Sequence, residues 1–81
     1  MRVEIYGTQG CDFCYKAREL AHNHGADVDY YDIGGGTRLV EFGNLFPGCK
    51  TVPQILVDGM HIGGYRGLKD YFELGLTGDL A

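Results

Sequence analysis

Two cysteines separated by two residues, Cys11-Asp12-Phe13-Cys14, stand where a strand-like apolar run gives way to a helix-like one. A thiol at the start of a helix faces backbone N–H groups that have no intrahelical acceptor, and it faces the positive end of the helix dipole. Both favour the thiolate, the form that attacks disulfides and binds metals. Cys11 is therefore the candidate attacking group. Cys14 follows three residues on, along the same helical side. Cβ separations of about 5–6 Å at that spacing close to the roughly 3.5–4.5 Å of a disulfide when the first cysteine occupies a flexible cap position. Cys14 is the candidate resolving thiol. The same pair is also half of a zinc site, for which four ligands are usual.

The rest of the chain bounds these two readings. Its 81 residues give room for one domain, residues 1–81, with a small core, since chains of this size bury only about 60% of the surface of the unfolded chain. Seven basic against eleven acidic residues, net charge −4, supply no concentrated cationic surface and argue against nucleic acid as a partner. No apolar run reaches membrane-spanning length, and Met1-Arg2-Val3-Glu4 carries an acid where a signal peptide has its apolar segment, so a cytoplasmic protein without a membrane partner is expected. Three cysteines, the third being Cys49, are too few and too odd for a disulfide-stapled secreted scaffold. In a reducing compartment they read as catalytic or metal-binding.

Along the chain, Arg2 to Tyr6 alternates Val3 and Ile5 with polar or amphipathic neighbours and ends at Gly7-Thr8-Gln9-Gly10, which predicts a strand feeding the cysteine loop. From Asp12 to about His24, Cys14, Ala17, Leu20 and Ala21 recur at helical spacing, and Gly25 supplies a left-handed stop. Val28 to Ile33 reads as a strand whose acids, Asp29 and Asp32, suit a sheet edge. Gly34-Gly35-Gly36 precedes Thr37, a candidate cap for a helix with Leu39, Phe42, Leu45 and Phe46 on one side, weakened by Gly43 and ended by Pro47-Gly48. Without a Lys-Ser/Thr or a GxGxxG pattern, the glycine run reads as a plain loop rather than a phosphate cradle.

Gln54–Val57, Asp58-Gly59 and Met60–Gly63 form a hairpin signature, two short runs joined by a dipeptide that accepts the positive φ angles of a type I′ turn. After Gly63-Gly64, the residues Leu68, Tyr71, Phe72 and Leu74 fall on one helical side up to Gly75, and Leu76 to Ala81 forms a fraying tail. The order strand, helix, strand, helix, strand, strand, helix predicts a parallel βαβ crossover joined to an antiparallel hairpin. The result is a four-stranded mixed sheet with three helices on its two faces.

A Cys-x-x-Cys beside a βαβ pattern points to the thioredoxin-like fold, and further residues join it. Val3-Glu4-Ile5-Tyr6 before the cysteines, Thr51-Val52-Pro53-Gln54-Ile55, and His61-Ile62-Gly63-Gly64-Tyr65 together give a chain that resembles the glutaredoxins over nearly its whole length. The resemblance implies an α/β, βαβαββα fold and thiol–disulfide exchange between Cys11 and Cys14. It implies a cis proline at Pro53 facing the cysteines, whose neighbour Val52 offers its backbone N–H and C=O to a substrate in β fashion. It also implies a glutathione groove made by Phe13, Thr51, Val52, Pro53, Gly64, Tyr65 and Arg66. Glutathione would be the co-substrate with no bound cofactor, the protein a monomer, and its clients disulfide-containing proteins, with ribonucleotide reductase among the family's common ones.

The competing class is a metal or iron–sulfur module. His22 and His24 lie roughly 15 Å from Cys11 along the first helix at 1.5 Å per residue, too far to complete a site, and read as surface histidines. His61 reads as structural, and Cys49, separated from Thr51 by Lys50 alone, as a bystander loop thiol, with oxidation or glutathionylation as the alternative.

Two departures from the family pattern change the expected chemistry. Glutaredoxins commonly carry Lys in the loop where this chain has Thr8, and Pro between the cysteines where it has Asp12. A lost cation and a gained anion raise the Cys11 thiolate pKa relative to the family and make the disulfide more reducing. Family members also often place acids after the aromatic position to hold the glutathione ammonium, where this chain has Arg66-Gly67. That substitution removes a charge-assisted bond worth about 1.5–3 kcal/mol and leaves open a thioredoxin-reductase-like electron donor. Arg66 is then free for a carboxylate of glutathione or of an acidic partner, or simply for solvent. The first departure is tested by ultraviolet thiolate titration of reduced protein: Asp12→Pro is expected to lower the Cys11 pKa, and an unchanged value would refute the electrostatic account.

Overall fold

The computed structural model describes residues 1–34, 36–49 and 51–75. Among them run β1 (Arg2–Gly7), α1 (Asp12–Asn23), β2 (Asp27–Asp32), α2 (Gly36–Leu45), β3 (Gln54–Val57), β4 (Met60–Gly63) and α3 (Tyr65–Leu74). The strands form one mixed sheet in the order β2-β1-β3-β4. β1 pairs parallel with β2 and antiparallel with β3, and β3 pairs antiparallel with β4. This is the thioredoxin-like arrangement that the element order predicts.

Strand alternation sorts side chains to the two faces. Val3, Ile5, Ile55 and Val57 pack with Ala17 and Ala21 of α1 and Leu68 of α3 in one cluster. Tyr6, Ile33, Phe42 and Phe46 form a second cluster on the α2 side. The centre of the sheet is thus covered on both faces, and Tyr6, placed by sequence among the polar positions of β1, is buried as well. β2 lies at a sheet edge, as its acids suggest, and Asp29 there is ion-paired to Arg2 on β1.

The hairpin turns through Asp58 (φ 48°) and Gly59 (φ 85°), the two positive angles of a type I′ turn. A bulge follows: Ile55 faces Gly63 while Leu56 faces His61, so Ile62 is the extra residue, and Gly63 takes φ 97°. α1 ends at Asn23 with Gly25 left-handed at φ 79°, and α3 ends on Gly75 at φ 64°.

Several expectations need correction. β2 begins and ends one residue earlier than Val28 to Ile33, leaving Ile33 to leave the strand and enter the second cluster. α2 starts at Gly36, so Thr37 lies within the helix rather than ahead of it. Of its expected apolar side, Phe42 and Phe46 are buried but Leu39 and Leu45 are about half exposed, because only one edge of this helix meets the sheet. Leu74, in the last turn of α3, is likewise exposed. Gly35, Lys50 and the Leu76–Ala81 tail lie outside the described residues.

Two glycines in helices have opposite surroundings. A Cβ on Gly67 would collide with the carbonyl oxygen of Ile62, because α3 crosses β4 at backbone contact, whereas a Cβ on Gly43 meets nothing within 4 Å. Gly67→Ala is expected to destabilise the protein by about 1–3 kcal/mol through overpacking. Gly43→Ala is expected to stabilise it by about 0.4–1 kcal/mol through the unfolded chain. Urea unfolding midpoints moving in opposite directions are the check.

Candidate active site

Cys11 caps α1. Its backbone is extended (φ −95°, ψ 107°), and its Sγ accepts the Cys14 N–H at 3.2 Å. The sulfurs of Cys11 and Cys14 are in disulfide contact, with Cα atoms 5.2 Å apart, inside the usual disulfide span. The two thiols differ in access. Cys14 is fully buried at 0% exposure, whereas Cys11 is partly open to solvent. Cys14 sits against Gly7. A Cβ on Gly7 would come within 2.7 Å of the Cys14 sulfur and 2.6 Å of the Tyr30 hydroxyl, so this position needs a glycine for space. Sequence reasoning read Gly7 only as a turn residue.

The loop between β1 and α1 is held by two tyrosines. The Tyr30 hydroxyl donates to the Thr8 carbonyl at 2.8 Å, and the Gly10 N–H donates to the Tyr15 hydroxyl at 2.9 Å. The Arg18 guanidinium lies 5.1 and 5.2 Å from the centres of the Tyr15 and Tyr30 rings. Burial foremost, then the nearby Tyr15, pushes the Tyr30 phenol above its ordinary value. Neither tyrosine carries a motif; for Tyr30 the signal available in sequence was an aromatic on β2 two residues from the strand end.

Beside the cysteines lies a groove of about 460 Å³ lined by Phe13, Thr51, Val52, Pro53, Gln54, Gly64, Tyr65, Arg66 and Lys69. All seven groove residues implied by the family pattern thus come together, and two more join them. The Val52–Pro53 peptide is cis. Phe13 faces Tyr65 with ring centres 5.7 Å apart, and the Lys16 ammonium lies 5.0 Å over the Phe13 ring. Gly64 caps α3 without a side-chain hydrogen bond, and a Cβ there would lie 3.2 Å from the Pro53 carbonyl, so α3 begins directly beside the proline loop. Arg66 is 87% exposed and makes a long 3.6 Å pair with Asp70 on the same helix.

Gln54 is the residue that sequence reasoning passed over as a plain strand position. Its side chain is buried, and its Nε2 donates to the Thr51 carbonyl at 3.1 Å and Oγ1 at 3.4 Å. Its Oε1 is 2.7 Å from His61 Nε2. Since that oxygen has no proton, His61 Nε2 must be the donor, a role the ε tautomer and the imidazolium both fill. The His61 ring also rests on Phe46, with centres 4.7 Å apart. A part-buried relay from His61 on β4 through Gln54 on β3 therefore holds the Thr51 end of the Val52–Pro53 loop.

The family model for glutaredoxins matches residues 3–62. The chain belongs to the glutaredoxin family. It is 35% identical over 78 residues to glutaredoxin 3 of Escherichia coli, covering 96% of this chain and 90% of that protein. It is 36% identical over 70 residues to the hybrid peroxiredoxin hyPrx5 of Haemophilus influenzae, covering 86% of this chain but only 29% of that longer protein. Among solved structures, glutaredoxin 1 from Francisella tularensis superposes with a TM-score of 0.74 at 29% identity, over 90% of this chain and 93% of that one. Glutaredoxin membership and the Cys11–Cys14 disulfide contact support thiol–disulfide oxidoreductase activity.

Outside the groove, the remaining candidate ligands of this glutaredoxin stand apart. Among the described residues no three His, Cys, Asp or Glu side chains gather as a metal site. His22 and His24 are exposed at the far end of α1, and His24 stacks flat on Phe72, rings 4.1 Å apart and 4° from parallel. Cys49 is a free thiol packed at the margin of the second cluster. Replacing Gln54 by Leu removes the donor that holds the Thr51 carbonyl. The expected result is a KM for disulfide substrate raised about 2- to 10-fold, the equivalent of one neutral hydrogen bond, with kcat near that of wild type. Steady-state kinetics check this, and an unchanged KM would leave Gln54 a packing residue.

Proposed function

We propose that this glutaredoxin reduces protein disulfides and glutathione mixed disulfides in the cytoplasm, with glutathione as co-substrate and without a bound cofactor. The observation that carries this reading is the asymmetry of the pair: a partly open Cys11 on a helix N-terminus over a fully buried Cys14.

The Cys11 thiolate attacks one sulfur of the substrate disulfide, a mixed disulfide forms, and the other substrate sulfur leaves as a thiolate that takes a proton. The Cys14 thiol then loses its proton and attacks Cys11 Sγ. That step releases the second substrate thiol and leaves the Cys11–Cys14 disulfide, so two electrons have passed to the substrate. The N–H of Cys14, pointed at Cys11 Sγ, stabilises negative charge on that sulfur whenever it is a thiolate. Val52 pairs with the substrate backbone, while Phe13, Thr51, Pro53, Gly64, Tyr65 and Arg66 wall the groove in which glutathione or a peptide lies.

Two molecules of glutathione would return the pair to the dithiol, with a thioredoxin-reductase-like donor as the other route. Ribonucleotide reductase is one client of the expected kind. The similarity to part of a hybrid peroxiredoxin favours a peroxiredoxin as another.

Turnover with glutathione and glutathione reductase, run beside turnover with thioredoxin reductase, identifies the donor; activity in neither assay would sink the reading. Cys14→Ser is expected to abolish dithiol reduction of protein disulfides while retaining deglutathionylation, and Cys11→Ser to abolish both. Full activity of the Cys11→Ser protein would overturn the assigned order of the thiols.

A further inference from the structure

We propose that the groove of this glutaredoxin selects disulfides carried on acidic peptide segments. The inference deepens the proposed function and rests on it. Among the described residues, the charged side chains lining the groove are Arg66 and Lys69, and no carboxylate lines it. A third cation, Lys16, stands over the face of Phe13, which forms the opposite wall. In a chain of net charge −4, this is a local reversal of sign at a concavity that the proline loop and the cysteine-bearing helix share.

The neighbouring acids do not cancel it. Asp70 meets Arg66 at 3.6 Å and Glu73 meets Lys69 at 3.9 Å, both along α3 and both with exposed partners. Long, solvated pairs of this kind bind their cations weakly and release them to a better placed carboxylate. Asp12 is exposed beside Cys11 and is not among the groove's lining residues.

The chemistry of a fitting occupant follows. An extended segment paired with Val52 carries its side chains to either side of the backbone. A glutamate or aspartate near the disulfide cysteine would meet Arg66 and Lys69, and a lysine there would be repelled. The α-ammonium of glutathione finds no carboxylate among the described residues that line the groove, so glutathione gains less from it than an acidic peptide does. Electrostatic matching of this sort acts chiefly on partner choice and association rate.

The test uses the full chain, pre-reduced, against three symmetrical peptide disulfides that differ only in carrying Glu, Gln or Lys two residues from the cysteine. Thiol release is followed under single-turnover conditions, so no electron donor is needed. The second-order rate is expected to fall from Glu to Gln to Lys, with about 3- to 10-fold at each step. The spread should narrow in 0.5 M salt as screening takes hold. The double variant Arg66→Glu, Lys69→Glu, both exposed positions on α3, should reverse the order. Equal rates for the three peptides with wild-type protein would overturn the inference and leave thiol–disulfide exchange standing. An order unchanged in the double variant would also overturn it. Failure to reduce any of the three would remove the proposed function itself, and the inference with it.

Discussion

The antiparallel pairing of β1 with β3 is the constraint on which the site depends. Tyr6 near the end of β1 faces Gln54 at the start of β3, and Ile55 faces Gly63 at the end of β4. The last residues of β1, the first of β3 and the last of β4 therefore meet at one end of the sheet. What the chain does next at each strand end forms the site: the cysteine loop after Gly7, the Pro53 turn before Gln54, and the Gly63-Gly64 step into α3. Three stretches far apart in sequence become neighbours through one register, and a slip of a single residue would also turn Val3, Ile5, Ile55 and Val57 out of their cluster. The free energy of the apolar core and the geometry of the site are thus specified by the same pairing.

That end of the sheet is then made rigid from both faces. From the α1 side, Tyr30 and Tyr15 bind the loop ahead of Cys11, and Gly7 leaves the space in which Cys14 is buried. From the α2 side, Phe46 carries His61, His61 orients Gln54, and Gln54 fixes Thr51. The two systems meet at the groove without sharing a residue. One sets the position of the thiols and the other sets the backbone of the proline loop beside them. Thiol exchange needs three sulfurs nearly in line, so both halves of the encounter must be held.

What could be read in the sequence was whatever local chemistry dictates. The Asp58-Gly59 turn, the left-handed stops at Gly25 and Gly75 and the cap position of Cys11 each follow from a residue's own conformational preference, and they stand as expected. The seven residues that the family motifs imply for the groove do line one concavity, and they sit at the ends of strands and helices. The failures have a different cause. Leu39, Leu45 and Leu74 satisfy helical periodicity, yet periodicity gives a direction on a helix and not the width of the surface that meets it. Gly7, Gln54 and Tyr30 act through contacts made across the sheet, and nothing in their flanking residues carries that information.

The Arg66-Gly67 departure shows how structure changes the meaning of a substitution. Read in sequence, both positions have lost a carboxylate. In the fold they differ: the Cα of Gly67 lies over the Ile62 carbonyl with no space for a side chain, while Arg66 projects into solvent at the groove mouth. The bulge at Ile62 and the close crossing of α3 over β4 therefore determine residue 67 for packing. Of the described groove-lining residues on α3, Arg66 and Lys69 are exposed and free of core packing, whereas Tyr65 contacts Phe13, and Leu68 between them is fully buried. Both free positions carry cations. The sign of the wall is accordingly set by two side chains whose ion pairs along α3 are solvated, so reversing it leaves the apolar core untouched.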